Sequence, residues 1–502
     1  VWKRFAPASK PDFKLNGFNV FVLFIAFFAM AQLVYPLVSV LAMPFLIVAF
    51  ILLAYLLVKG NTNDLFIFLF FTSLMRIVLP NNFREVSLFC PLLIGGAILL
   101  KNTHKFGSIK KFYLDSILLL FFLFFLFISF QIFYRLQLPG IFGSQSSNSG
   151  FLNRWNLLNN GIVFASLFIG FNTEMLRYLI DKLNTLYLFV FSVSMLMLII
   201  HVNKLPLFNT FTWTVIQENE SSKKMIIAGA SAIMLMMYQL SFKKRTIVWV
   251  VALMIFLIGV LLSGSRTAFL SYFLLMLFAY MIYHRFLIRG IAVLILSSGI
   301  ITALLLSPVV LLVPEKYQRL VVIFPSEFYT GELSKLRASA AAKSSNFRYE
   351  MWTKAYDKLK EHPLTGEGIG IPKAQYDLGA EGLSAFQKID SKILIEDFMN
   401  SGSLHNTFFS IAYIFGLPAV SIFFVFLISL LLRTYKLTQI YSGELKATYV
   451  FFTLIILNYF IQAFISDIHN SMEFYVFMAI IIKVVMLAPK LAKQQEKEMV
   501  NV

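Results

Sequence analysis

Apolar runs of membrane-spanning length, broken by short polar stretches, fill residues 18–313 and 405–488 of the chain. A hydrocarbon core of about 30 Å takes about 20 helical residues at roughly 1.5 Å each. On that measure the pattern predicts spans at 18–35, 37–58, 64–79, 86–100, 114–134, 157–171, 184–202, 224–241, 246–262, 266–283, 290–313, 405–432, 447–465 and 471–488. The expected fold is therefore an all-α polytopic membrane protein of about 14 transmembrane helices. The range is 12–14, because 64–79, 86–100 and 157–171 are short. The first run has no small-residue cleavage site and leads almost directly into the second at Pro36, so it reads as a span rather than a signal peptide.

One long hydrophilic stretch interrupts the pattern. It divides the chain into a membrane domain at 1–313, a large outer loop at 314–404, and the last three spans with a tail at 405–502. Within the loop, Ser344 to Glu361 has helical periodicity, with Phe347, Met351, Trp352, Tyr356 and Leu359 near one face and Ser344 or Ser345 as cap. The turn His362-Pro363-Leu364-Thr365-Gly366-Glu367-Gly368-Ile369-Gly370 then stops the helix. Its glycines resemble a phosphate cradle. No strand precedes them and no Lys-Ser/Thr follows, so a tight turn packing the helix onto the membrane domain is the better reading.

Composition sharpens the class. Of 502 residues, 59% are hydrophobic and 14% charged, and the mean hydropathy is +0.78. A soluble protein carries about 25% charged residues, so a soluble enzyme, a secreted disulfide scaffold and a disordered chain are excluded. The single cysteine, Cys90, excludes an intramolecular disulfide. The 56 Phe residues fit lipid-facing helices, and fit an AT-rich coding sequence equally well. With the N-terminus inside, the inward segments hold 22 Lys and Arg residues against seven in the short outer loops. That asymmetry obeys the positive-inside rule and puts both termini in the cytoplasm and the large loop outside. The net charge of +18 then comes largely from membrane anchors and does not point to nucleic acid.

Outside the cytoplasmic membrane there is no nucleotide-sugar or ATP, so chemistry there needs an activated substrate, and lipid-linked phosphates are the main class. Three spots face that side. Arg266 ends the turn Ser263-Gly264-Ser265-Arg266 between two spans, Arg348 opens the loop helix, and His405 precedes Asn406 at the edge of the next span. Singly, each has a bland explanation: a snorkelling anchor, a solvated helix residue, an interfacial histidine. Their shared side makes a joint site the stronger reading. Asp467 and His469 in the last outer turn form either a second polar cluster beside His405 or a plain polar hairpin. Arg76 and Arg154 could add positive charge for a phosphate or frame a glycan path. Tyr349, Trp352 and Tyr356 can stack on sugar rings, although helix packing is the simpler role. No paired Asp-x-Asp occurs among the outward acids, so no metal site and no cofactor are expected.

The ordered set Ser-Gly-Ser-Arg266, Arg348-Tyr-Glu-Met-Trp352, His362-Pro-Leu-x-Gly366-x-Gly368-x-Gly370 and His405-Asn406, with the span running on to Gly416-Leu417, resembles the bacterial O-antigen ligase/polymerase superfamily. That group includes O-antigen ligases, Wzy-type polymerases and protein O-oligosaccharyltransferases. The motifs cover about residues 263–420. The resemblance implies a GT-C-like membrane fold and a metal-independent, inverting glycosyltransferase of surface polysaccharide (lipopolysaccharide) biosynthesis in the bacterial inner membrane. The implied donor is a glycan on undecaprenyl pyrophosphate. The acceptor is a glycan, lipid A-core or a protein, and a chain-length regulator is a further partner. It carries donor pyrophosphate binding to Arg266 and Arg348, and the catalytic role to His405. The ligases tend to have twelve spans, so fourteen here lean toward a polymerase-like member.

The residues agree with that chemistry. A planar guanidinium suits a departing pyrophosphate, and an imidazole with an ordinary pKa of about 6.5 can accept a hydroxyl proton near neutral pH. A transporter or lipid-glycan flippase is the rival from another class. It tends to place ionisable residues at midplane or to show related halves. Here the spans are nearly free of charge and no internal repeat is evident. A non-catalytic component of a glycan-assembly complex would not need two arginines and a histidine on one surface.

Overall fold

The computed structural model describes residues 39–75, 84–102, 116–135, 160–172, 266–284, 306–312, 326–338, 340–368, 404–464 and 472–500, with isolated positions between them. Among the described residues all regular structure is helical. The first helices are α1 (Ser39–Lys59), α2 (Thr62–Met75), α3 (Arg84–Lys101), α4 (Ser116–Arg135), α5 (Asn160–Gly170) and α6 (Arg266–His284). These keep close to the apolar runs that predict them. The expected spans at 184–202 and 224–241, all of 246–262 except Met254, and most of 18–35 lie outside the described residues. At the end of the run 290–313, Pro308–Leu312 forms a 3-10 turn rather than α-helix, since proline cannot continue the ladder of amide bonds.

The helix of the long hydrophilic stretch is α7 (Ala340–Glu361). It starts four residues before the expected cap, so Ser344 and Ser345 lie inside it. The run of three alanines at 340–342 has high helix propensity and extends the first turn. Its buried face is Met351, Ala355 and Leu359, spaced by four, with Phe347 and Trp352 packed against the core. Tyr356, expected on that face, is 52% exposed and lies under the Lys360 ammonium instead. The short 3-10 helices Ser326–Phe328 and Gly331–Ala338 pack on α7 around the fully buried Tyr329.

The expected span 405–432 is two helices, α8 (Thr407–Phe415) and α9 (Leu417–Ile440), separated by Gly416. Gly416 has φ 87°, and Pro418 follows within the first turn of α9, so a single helix cannot run through. The chain closes with α10 (Gly443–Ala463) and α11 (Met472–Val500). The last helix runs twelve residues past the expected end at 488. Lys483 is thus mid-helix, its ammonium 4.6 Å from the centre of the Phe168 ring of α5.

Among the described residues two helices, Leu417–Ile440 and Leu445–Ala463, are long and apolar enough to cross a bilayer. Their burial separates them: 83% of the apolar window of α10 is inside the protein, against 33% for α9. The outer face of α9 exposes Leu417, Phe424, Val425, Leu432 and Ile440, and α1 and α4 expose similar aliphatic and aromatic stripes. Contiguous apolar surface of this kind is stable against lipid and costly against water. Inside, phenylalanine is mainly a packing residue. Phe121 of α4 stacks on Phe164 of α5 at 4.1 Å and meets Phe426 of α9 and Tyr475 of α11 edge-on or tilted. Between apolar helices in lipid, such shape-matched contacts and close approaches drive association. One approach is made by Gly95 of α3, whose carbonyl accepts the Ser166 hydroxyl of α5 at 2.9 Å.

Candidate active site

The break at Gly416 frees main-chain groups that an apolar surrounding would leave unsatisfied. The turn after α7 takes them up. Glu367 N–H donates to the Tyr413 carbonyl at 2.6 Å and Gly368 N–H to Ile414 at 3.1 Å, capping the end of α8. Leu417 N–H, in the first turn of α9, donates to the Pro363 carbonyl at 2.8 Å. Two backbones meet here. A Cβ on Gly366 would lie 2.5 Å from the Ile414 carbonyl carbon, and one on Gly416 would lie 2.3 Å from the Leu364 carbonyl oxygen. The amides of Gly366, Glu367 and Gly368 are all engaged within the protein. The glycine turn is therefore a docking element for the broken helix, not a phosphate cradle; Gly370 lies outside the described residues.

The other end of α8 carries the histidine. Asn406 caps the helix, its Oδ1 accepting from Phe409 N–H at 3.0 Å. His405, just before it, is half-buried and has φ 53°. That left-handed backbone costs an L-residue about 1–2 kcal/mol, least for Asn, Asp and His. Five hydrogen bonds join residues 405–410 to the turn after α10. His405 N–H donates to Asp467 Oδ2 at 2.9 Å, and the Ser410 hydroxyl to Asp467 Oδ1 at 2.5 Å. Asn406 Nδ2 donates to the Phe464 carbonyl at 2.9 Å. The Thr407 hydroxyl donates to the Ser466 carbonyl at 2.7 Å and accepts from Ile468 N–H at 2.8 Å.

The loop helix completes the cluster. Trp352 Nε1 of α7 donates to the Leu404 carbonyl at 2.7 Å, and its ring stacks on Phe409 of α8. One helical turn earlier, on the same side of α7, sits the half-buried Arg348. Its neighbour Phe347 meets Phe398, whose ring centre is 5.2 Å from that of His405. Farther along α7, the hydrogen bond that the Lys360 ammonium donates to the Asp357 carboxylate raises its pKa above the usual lysine value. That pair is exposed and screened, so it contributes little.

His405, Asn406 and Asp467 are thus gathered by the start of α8 and the turn after α10, and α7, which carries Arg348, is tied to them through Trp352. Asp467 lies beside His405 through the main chain. Arg266 is the first residue of α6, which packs on α10; its side chain, and Arg76, Arg154 and His469 altogether, lie outside the described residues. Among the described residues no three His, Cys, Asp or Glu side chains are grouped to share a metal ion. Sequence reasoning missed Thr407 and Ser410. Both are polar residues in an otherwise apolar run, three apart and so on one helix face, and that spacing was the available signal.

Residues 250–424 match a family model described as O-Antigen ligase. The matched segment holds Arg266, Arg348 and His405, and stops before Asp467. No curated protein matches the chain.

Proposed function

We propose that this chain, which matches the O-antigen ligase family over residues 250–424, is a member of the O-antigen ligase/polymerase superfamily and moves a glycan from undecaprenyl pyrophosphate onto an acceptor hydroxyl. The reaction takes place at the outer face of the bacterial cytoplasmic membrane. At the level of the family the activity is glycosyl transfer of the ligase or polymerase type in a membrane-associated protein. The donor lipid, the stereochemistry and the residue roles are the finer proposal. One observation carries it: the helix bearing Arg348 is hydrogen-bonded, through Trp352, to the residue just before His405.

In this reading Arg266 and Arg348 grip the pyrophosphate. Each planar fork makes paired, charge-assisted hydrogen bonds worth roughly 1.5–3 kcal/mol. They neutralise charge as it builds on the leaving oxygen. The acceptor oxygen attacks the sugar C1 from the opposite face and passes its proton to the His405 imidazole. The C1–O bond to phosphate breaks, and its electron pair leaves on the lipid pyrophosphate. Attack opposite the leaving group inverts the anomeric centre. No metal ion enters the scheme.

Arg348→Ala is expected to abolish surface-glycan attachment with an unchanged membrane level of the protein. Arg348→Lys keeps the charge but not the two-point contact, and is expected to lose at least tenfold. A wild-type rate in the lysine variant would reduce Arg348 to a simple charge. Transfer by the purified protein is expected to persist in EDTA; activity that is lost and then restored by a divalent ion would reject the metal-free scheme. Deleting the gene and resolving surface glycan on a gel separates the subclasses. Loss of all attached polymer marks a ligase, and retention of a single attached repeat marks a polymerase.

A further inference from the structure

We infer that the peptide unit between Leu404 and His405 is what aims the imidazole, and that Trp352 and Asp467 are positioning residues acting on its two poles. The inference rests on the proposed role of His405. The oxygen and the N–H of a single peptide group are held by side chains from two distant elements. Trp352 Nε1 of α7 donates to the oxygen at 2.7 Å, and Asp467 Oδ2 accepts from the N–H at 2.9 Å. A peptide group is planar and rigid. Holding both ends fixes the rotation of the plane, and the next torsion along the chain is the φ of His405, at 53°. That torsion sets the direction in which the imidazole leaves the backbone.

Both clamps are themselves braced. The Ser410 hydroxyl donates to the second oxygen of Asp467 at 2.5 Å and accepts from Leu404 N–H at 3.0 Å, which closes a ring around the peptide. The Trp352 indole is stacked on Phe409 at 6.0 Å between ring centres. Since Arg348 lies one turn from Trp352 on α7, the clamp also sets the distance between the donor-side guanidinium and the acceptor-side base. Asp467 stands outside the matched segment 250–424, so the clamp recruits the last hairpin of the chain to the site. Asp467 meets His405 through the main chain, so its effect is on geometry.

The test uses the full-length protein in lipid nanodiscs. The donor is polyprenyl-pyrophosphate-linked glycan extracted from cells lacking the gene. Trp352→Phe keeps the ring and removes the donor; Asp467→Asn keeps the shape and removes one acceptor. Each is expected to lower kcat at least tenfold, with the donor KM within twofold and the acid limb of the pH profile unmoved. The double variant is expected to lose less than the product of the single losses, because both act on one peptide. A wild-type kcat in both variants, a loss carried by donor KM, or fully multiplicative losses would overturn the assignment. A second readout is the His405 amide resonance in protein labelled with 15N-histidine, identified among the six histidines by its disappearance in His405→Asn. It is expected to shift in both clamp variants. An amide unmoved in either overturns the clamp and leaves the proposed function standing. A wild-type kcat in His405→Asn removes the proposed function, whatever the amide does.

Discussion

Replacing His405 with asparagine is expected to slow glycan transfer by about 100- to 10,000-fold, the range that a positioned general base supplies. Asparagine is the informative substitution because of the backbone. At φ 53° an alanine would add a conformational cost of about 1–2 kcal/mol, so a loss in His405→Ala mixes chemistry with local misfolding. Asparagine tolerates the left-handed region, keeps hydrogen-bonding capacity and cannot titrate. The His405 N–H bond to Asp467 and the Asn406 cap of α8 are main-chain and neighbouring features that it leaves in place. The measurement is the surface-glycan ladder of cells carrying the variant, beside an immunoblot of the membrane fraction. An unchanged ladder at normal protein level would remove His405 from the chemistry.

The second large effect is on folding. Gly416→Ala and Gly366→Ala are each expected to destabilise the protein on the order of 3 kcal/mol or more, through positive φ and a backbone collision. At Gly416, φ 87° with ψ 171° is a region essentially reserved for glycine. At both positions the added Cβ meets main-chain atoms of the opposing segment at 2.3–2.5 Å, and no side-chain rotation relieves that. What would be lost is the mutual capping of α8, α9 and the turn after α7. With it would go the seat of α7 and of Arg348. Gly96, inside α3, is the control. Its Cβ would meet nothing within 4 Å, so alanine there is expected to be neutral or slightly stabilising. Thermal unfolding in detergent compares the three. Equal midpoints for Gly416→Ala and Gly96→Ala would show that the two backbones are not in contact.

Much of this architecture is local in origin, and local signals are readable along a chain. The helices at Ser39–Lys59, Ser116–Arg135 and Arg266–His284 follow apolar runs whose ends are marked by polar or basic residues. The stop of α7 at Glu361 follows from His-Pro and the glycines behind it, which cannot extend a helix. The candidate residues Arg348 and His405 are visible in the sequence as an arginine in the loop helix and a histidine at the edge of an apolar run, and both fall in the segment 250–424 that matches the family model.

Other features depend on partners far away in the chain. Gly416 and Pro418 mark a weak point in the run from Thr407 to Leu432, but a proline can merely kink a helix; here the full break holds because Pro363, Glu367 and Gly368 supply the missing hydrogen bonds. Tyr356 and Ala355 are neighbours on α7, and periodicity favours the larger side chain for the core. It is the small one that is buried, in the row with Met351 and Leu359, while Tyr356 stands exposed. Asp467, sixty-two positions from His405, reads equally well as a plain hairpin acid until its carboxylate is seen to accept the histidine's N–H. Hydrophobic period and turn chemistry act over a few residues, and so they specify where helices form. Which carbonyl meets which donor across sixty residues depends on how those helices pack, and no short-range pattern encodes it.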